Sequence, residues 1–327
     1  MKRRNGFPAY FLILIACIAV LFLLFRQRFP FGKNNTAFAV EEKTDISRIA
    51  FFEGEKKLVL IRKEGEWIIE KDTVAREEAV LFLLKVLKEM KIKSPVTSEM
   101  FLEEIAGKKT EPVKVHVYDG RRLRKSYFVY RTFSNAYGNI MKMKPHSKPF
   151  IMYVPGYETN IGEYFTASRL FWRPFIVFNF LPSEIDHVYL YHRNDTASSF
   201  RIVSAGRNLF LQSRNGRLLQ NYDTVKVRRY ISYFAYIPFE RWATELDNVK
   251  KKEIKSSEPL YRIEVKNRKG KIINLSVWEK TKIAGNGADI TDTDRVWAGT
   301  DENEEIFVMR YFDIDPLLKR KSYFFDD

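Results

Sequence analysis

The chain of 327 residues contains a single cysteine, Cys17, which lies inside its most hydrophobic stretch. The rest of the sequence can therefore form no disulfide within itself, no zinc site with cysteine ligands and no thiol nucleophile. This absence excludes small secreted domains that depend on disulfides. It leaves both the cytoplasm and an envelope compartment open.

Histidine is also scarce, and the four histidines are poorly spaced for chemistry. His187 and His192 are five positions apart on a predicted strand, so we expect them to face opposite sides of it. His116 is predicted on the solvated face of another strand, and His146 lies in a turn rich in lysine and proline. The sequence contains no HExxH, P-loop, GxGxxG or GxSxG pattern. It therefore assigns no catalytic residue and no cofactor.

One long hydrophobic run is present near the N-terminus. Residues 8–25 carry no charge, and as a helix they would span about 27 Å, close to the thickness of a bilayer core. The charged segment Arg26-Gln27-Arg28 follows, where a cleaved signal needs small residues, so we predict a retained single-pass transmembrane anchor in contact with membrane lipid. Basic residues flank the run equally, and the N-terminal amine favours a cytoplasmic tail at 1–7. The body would then be periplasmic, and a linker at 26–44 would join it to the anchor in the inner membrane.

A lipoprotein signal is the alternative interpretation of the same segment. Leu14-Ile15-Ala16-Cys17 resembles the motif that directs lipidation of cysteine. The chain stays apolar for eight residues after Cys17, whereas a lipoprotein normally turns polar there. The retained anchor is therefore favoured, and lipidation of Cys17 is kept as the weaker hypothesis.

The balance of charge favours the basic side. Lysine and arginine together number 56 against 41 aspartate and glutamate, which gives a formal net charge of +15. An exported body would rarely meet nucleic acid, so we expect no nucleic-acid partner. Anionic headgroups or another anionic envelope polymer could contact such a surface, and weak attraction to the membrane is the simplest interpretation.

An internal repeat organises the remaining residues. Two amphipathic helices are predicted, at 76–90 and 222–236. The four apolar positions of the second helix each lie 147 positions after those of the first; the pairs are Val80 and Val227, Leu83 and Tyr230, Leu84 and Ile231, Leu87 and Phe234. Glu-Pro pairs at 111–112 and 258–259 keep the same offset and precede alternating strands.

The repeat predicts an α+β fold of two lobes. Each lobe would contain strand, strand, helix, strand and strand, forming an antiparallel sheet with one helix covering a face. The first lobe would occupy 45–172 and the second 183–327, joined by an aromatic connector at 173–182.

An acidic, glycine-rich stretch is the one candidate for a metal site. Asp289, Asp292 and Asp294 lie close together in "GNGADITDTDRVWAGTDENEE", and carboxylate oxygens suit hard cations such as calcium. The spacing of an EF-hand is absent, however, and an exposed acidic hairpin loop is the simpler interpretation. The three aspartates are therefore weak candidates for a metal site.

Aromatic residues are concentrated between 133 and 180, with arginines among them. The candidates for contact with a partner are Arg169, Phe171, Trp172, Arg173 and Phe175, because aromatic and arginine side chains dominate binding hot spots. Large aromatics also dominate buried cores, so packing of one lobe against the other is the simpler explanation.

The whole chain also resembles a known family. "FAVEEKTDISRIAFF", "GEWIIEKDTVAREEAVLFLLKVLKEMKI", "LFWRPFIVFNFLPSEIDHV" and "YFDIDPLLKRKSYFF" are similar to the bacterial family called domain of unknown function 4340, in its Bacteroidota form. The resemblance implies an anchored extracytoplasmic protein, in some relatives beside ABC-type transport systems linked to gliding and secretion. It brings no catalytic residues.

These observations predict a non-enzymatic accessory or assembly module of an envelope or transport complex that acts by contact with an envelope protein. Two alternatives stay open. One is an envelope enzyme acting on glycan or lipid, which would need a concave site with convergent polar groups. The other is a binder of anionic envelope polymer or lipid headgroups.

Overall fold

The chain divides between Pro174 and Phe175 into two units, and each unit is built around one large sheet. The structure is a computed structural model that describes residues 14–18, 20, 36–69, 73–283, 285 and 287–325. Antiparallel strands dominate both units and helices are few. This confirms the predicted α+β class.

The first unit contains one nine-stranded sheet. Its strands are β1 Arg48–Glu53, β2 Lys56–Lys63, β3 Glu66–Ile69, β4 Thr73–Val74, β5 Lys91–Pro95, β6 Val113–Asp119, β7 Arg122–Arg131, β8 Asn139–Lys142 and β9 Phe150–Tyr153. They lie in the order β4-β3-β2-β1-β6-β7-β8-β9-β5. The edge strand β5 carries two lysines and ends in proline, features that hinder pairing with another chain.

The predicted helix near residue 80 forms as α1, Glu77–Glu89. Val80, Leu83 and Leu87 are buried, as the apolar stripe predicts, while Leu84 is half-buried. Two glutamates occupy the first turn and a lysine the last, which complements the helix dipole.

One face of the first sheet packs beneath α1 and forms the main core. Alternate residues of the central strands are fully buried there, including Ile49, Phe51, Val115 and Val129. The opposite face is covered at one end. Two short helical segments, α2 Ser98–Phe101 and a π-helical turn Leu102–Ala106, close a smaller core around Ile140 and Ile151. The unit's last helix is α3, Arg169–Trp172.

The second unit contains an eight-stranded sheet and two small two-stranded sheets. Its strands are β10 Ile176–Phe178, β11 Ile185–His192, β12 Phe200–Ala205, β13 Asn208–Ser213, β14 Ile237–Pro238, β15 Arg241–Trp242, β16 Tyr261–Asn267, β17 Ile272–Trp278, β18 Thr281–Ile283, β19 Asp289–Thr291, β20 Arg295–Thr300 and β21 Phe307–Arg310. Its helices are α4 Thr224–Ser232, α5 Asn248–Ser256 and α6 Tyr311–Ile314. The large sheet has the order β13-β12-β11-β16-β17-β20-β21-β15.

The second predicted amphipathic helix forms as α4, followed by one 3₁₀ turn, Tyr233–Ala235. The Asp223 carboxylate caps it by accepting hydrogen bonds from the amides of Val225 (2.7 Å) and Lys226 (3.3 Å). The buried Tyr230 hydroxyl donates a hydrogen bond of 2.8 Å to the Leu317 carbonyl, which satisfies its polar atom inside the core.

The two large sheets share one strand order. If β4 is left out, each strand of the first sheet has a counterpart at the same place in the second sheet. In both units, the first long helix is followed by an edge strand and then by a further helix. The strands predicted after the Glu-Pro pairs begin at Val113 and Tyr261, as expected. The prediction of four strands per lobe is wrong, because short buried strands such as β8 show no alternation.

The predicted aromatic connector, 173–182, contains a strand. Residues Ile176–Phe178 form β10, which pairs with β14 inside the second unit. The predicted anchor, 8–25, lies outside the described residues except for 14–18 and 20. Across the portion of the chain that is described, no helix has both the length and the apolar character needed to cross a membrane.

Candidate functional site

Of the five contact candidates, one is buried, three are half-buried and one is exposed. Trp172, in α3, is completely buried; its ring stacks on Phe51 with centroids 5.5 Å apart, and its indole N–H donates to the Thr166 carbonyl at 3.0 Å. Phe171 is half-buried and packs edge-on against Trp172. Trp172 is therefore a core residue of the first unit, and its assignment as a contact residue is wrong because no partner can reach it.

The other three contact candidates differ in exposure. Arg169 is exposed, at the start of α3, whereas Arg173 and Phe175 are half-buried. Phe175 belongs to the second unit, where its ring packs 5.2 Å from that of Phe239. The five candidates therefore do not form one exposed surface.

The three aspartates proposed for a metal do not converge. Asp289 is exposed on β19, and Asp292 is only 4 % exposed and bonded to the ammonium groups of Lys280 (3.1 Å) and Lys282 (3.6 Å). Burial alone would raise the pKa of Asp292, but the Lys280 hydrogen bond, the Asp294 amide and the lysine charges hold it below its ordinary value. Asp292 is thus a buried ion-pair residue, and the prediction of an exposed loop is wrong at this position.

The residues that the structure describes contain no group of three or more histidine, cysteine, aspartate or glutamate side chains able to hold a metal ion. His187 bonds Glu264 at 2.8 Å, and His192 is buried with Nε2 3.1 Å from the Lys319 carbonyl. His116 is half-buried rather than solvated. Cys17, the lipidation candidate, is exposed in a helical stretch.

A cavity in the first unit is the best candidate site. It has a volume of about 540 Å³, and its walls include Glu53, Glu111, Glu163, Arg131 and Phe133. Three carboxylates thus meet one guanidinium, in a chain whose net charge is strongly positive. This acidic cavity is the kind of concave site that the sequence did not predict.

Strand ends position the fixed part of the cavity wall. Glu53 ends β1 and Arg131 ends β7, and the two side chains form an ion pair. The Glu53 carboxylate also accepts hydrogen bonds from the Ala167 amide (3.0 Å) and the Thr166 hydroxyl (3.3 Å). Because its oxygens are engaged on three sides, Glu53 holds the wall together and is poorly placed to react.

A close crossing of two loops forms another part of the wall, which includes Gly138 and Asn160. Gly138, with φ of +66°, lies against Asn160, and an added Cβ would come within 1.8 Å of the Asn160 amide oxygen. A Cβ on Gly162 would lie 1.9 Å from the Gly138 carbonyl oxygen. Glycine is therefore required at position 162, where backbone atoms leave no room for a side chain, and it is favoured at position 138 by the left-handed φ.

The crossing of the two loops places Glu163 in the wall of the cavity. This residue lies in a 3₁₀ turn, Gly162–Tyr164, and its amide donates to the Asn160 side chain at 3.3 Å. Desolvation raises the pKa of the Glu163 carboxyl above its ordinary value, and the nearby Arg76 charge opposes the rise. A carboxyl with a raised pKa in a cleft can exchange a proton, and Glu163 is exposed enough to do so with solvent or a ligand.

An unusually exposed aromatic marks the rim. Phe133 follows the end of β7, and its relative exposure is 102 %, as in an extended peptide. Phe312, in the second unit, is also highly exposed at 87 %, but it does not line this cavity. Phe133 therefore combines an aromatic ring open to a partner with carboxylates beside it.

Comparisons with known proteins add no relative. No protein-family model, no curated protein and no solved structure matches the chain.

Proposed function

We propose that this chain is a non-enzymatic, membrane-anchored accessory module of an envelope or transport complex that acts by contact with a partner protein. The acidic cavity and its rim residue Phe133 form the contact site. The observation that carries the proposal is the complete exposure of Phe133 beside a cavity lined by carboxylates.

A phenylalanine open to solvent gains free energy when a partner covers it, and hot spots pair such aromatic anchors with matching pockets. Glu111 and Glu163 would receive a basic side chain of the partner. Both glutamates are exposed, so such a pair would contribute modestly and would weaken as salt is added.

The place of action follows from the sequence. The hydrophobic run at 8–25 would anchor the chain, and the body would lie outside the cytoplasm, as in the family that the sequence resembles. The matching strand orders support descent of both units from one repeated lobe, in which a sheet is covered by one helix.

A second candidate function is hydrolysis of an envelope glycan. It is favoured by the same cavity, since Glu163, with its raised pKa, could act as an acid and Glu111 as its carboxylate partner. In that case Glu163→Gln should abolish turnover of a glycan substrate while the fold survives. Under the contact proposal the purified chain turns over no such substrate.

The contact proposal is tested by recovery of partners from membranes. The full chain, Phe133→Ala and Phe312→Ala are each recovered under mild crosslinking, and bound protein is counted per folded molecule. Loss of a hot-spot aromatic should lower recovery about tenfold or more, since hot spots contribute about 2 kcal/mol. The exposed but remote Phe312→Ala is the matched control and should behave like the parent chain. Equal recovery for both variants would refute the assignment of the site.

A further inference from the structure

Five side chains form a row across the first sheet, alternately lysine and phenylalanine. Phe52 of β1 lies opposite both Lys57 of β2 and Lys114 of β6. Phe128 of β7 lies opposite both Lys114 and Lys142 of β8. Because directly opposite residues of paired strands point to the same face, the five side chains form one lysine–phenylalanine row.

The row lies on the sheet face that α1 does not cover. Its sequence neighbours Phe51, Leu58, Val113 and Met141 are buried in the main core, and successive strand residues point to opposite faces. Lys57 and Lys114 are exposed; Phe52, Phe128 and Lys142 are half-buried. At the far end Lys142 lies over the Phe101 ring of α2, at 4.7 Å, so the helical cap forms a wall there.

The two rungs on one side of the row carry no acidic residue, and Glu66 lies on the same face farther along, opposite Lys63. The two rungs beside the row are Val59, Ala50, His116 and Ser126, then Ile61, Arg48 and Tyr118. None of these positions is acidic, and the Arg48 guanidinium lies 3.9 Å above the Tyr118 ring. Adjacent strands are about 4.8 Å apart, so successive lysines of the row are about 10 Å apart.

We propose that the lysine–phenylalanine row binds an extended anionic glycan that carries one carboxylate on every second sugar. Carboxylates on alternate sugars are separated by two sugar rings, which matches the spacing of about 10 Å between the lysines, so three carboxylates meet the three lysines. The phenylalanine rings lie between them. The Lys57 ammonium lies 5.6 Å from the centre of the Phe52 ring, and its move to a glycan carboxylate would free that ring face to pack on a sugar. This surface is distinct from the acidic cavity and does not depend on the contact proposal.

Other polyanions fit the spacing less well. A nucleic-acid strand carries one charge about every 3.4 Å along the helix axis, much closer than the lysines. A charged lipid surface has no fixed spacing and no sugar ring to place between them. A merely solvated sheet face would explain the lysines, but not two phenylalanines alternating with them across neighbouring strands.

The second unit supplies a natural control. At the corresponding rung Tyr191 lies opposite Arg262, which lies opposite Ser276, followed by Gly299. The pattern therefore begins with an aromatic and a cation but does not continue, and Glu264 occupies the adjacent rung. Arg262 is thus an exposed cation at the same sheet position without the row.

The experiment measures binding of the purified full chain to hyaluronan hexasaccharide, which carries three carboxylates on alternate sugars. Lys114→Gln should weaken this binding about fivefold, the upper range for one exposed ion pair. Arg262→Gln should leave it unchanged. A neutral chitin hexasaccharide should bind the parent chain more weakly than hyaluronan does.

Three results would overturn the proposal: equal effects of the two variants, equal affinity for the neutral glycan, or tighter binding of single-stranded DNA or anionic vesicles at the same ionic strength.

His116 supplies an independent readout. Burial, and then the Lys114 charge, lower the pKa of His116, whose Nδ1 lies 3.1 Å from the Tyr118 hydroxyl. Bound carboxylate should raise that pKa in an NMR titration, and an unmoved His116 would contradict binding at the row.

Discussion

Replacement of Trp172 by alanine should destabilise the first unit severely. The side chain is fully buried between Phe51 and Phe171, and its N–H satisfies the Thr166 carbonyl. Truncation of a buried tryptophan to alanine lowers the free energy of unfolding by about 3–5 kcal/mol. The Thr166 carbonyl would also lose its hydrogen bond, so we expect a loss at the upper end of this range. Trp172→Phe keeps most of the ring contacts but loses the hydrogen bond, so it should cost about 1–3 kcal/mol.

The loss can be localised by native-state hydrogen exchange of the full chain, followed together with urea denaturation. Amides of the central strands around Ile49 and Val115 should lose protection in Trp172→Ala by the same free energy as the global loss. Phe312→Ala, at an exposed site, should leave exchange and stability unchanged. Suppose instead that Trp172→Ala kept full stability but recovered less partner. Trp172 would then be a contact residue, and its place in the core would be mistaken.

Three further changes test other parts of the structure. Burial lowers the pKa of His192, so as the pH drops below about 6.5 the unfolded state takes up a proton before the folded state does, and the free energy of unfolding should fall. Denaturant titrations at several pH values should show this fall, and His192→Gln should flatten it. Leu83→Asp should unfold the first unit, whereas the half-buried Leu84→Asp should cost clearly less, as circular dichroism would reveal; equal losses would contradict the assigned helix face. Gly162→Ala should cost about 2 kcal/mol or more and alter the acidic cavity, because its Cβ has no room; an unchanged melting temperature would contradict the close loop crossing.

The helices could be predicted because their signal is local. The apolar positions of α1 recur with the helical period, and the acidic first turn marks its start. Two strand starts, Val113 and Tyr261, were also predictable because alternating residues follow a Glu-Pro pair in each case.

Other strands carry no such signal. Residues 139–141 of β8 are buried in succession, so polar and apolar residues do not alternate. The edge strand β5 contains a proline and is defined by its pairing with β9, far along the chain. These elements depend on tertiary pairing, which overrides local propensity.

The candidate site could not be predicted from the sequence. Glu53, Arg131 and Glu163 are far apart in the chain and meet because β1 and β7 end at the same place and two glycine loops cross. Asp292 misled the sequence interpretation for a similar reason, since its neighbours suggest an open acidic loop while Lys280 buries and neutralises it. Phe133 follows the end of β7, but the sequence does not reveal that its ring is exposed.

Contact through Phe133 is tested most directly by site-specific photocrosslinking in intact cells. A photoreactive phenylalanine analogue placed at position 133 should capture one discrete partner, which mass spectrometry of the crosslinked species can identify. The same analogue at position 312, which is nearly as exposed, should capture none at comparable yield. Identical patterns from the two positions, or no crosslink at 133 in a chain that is folded and correctly located, would contradict the account.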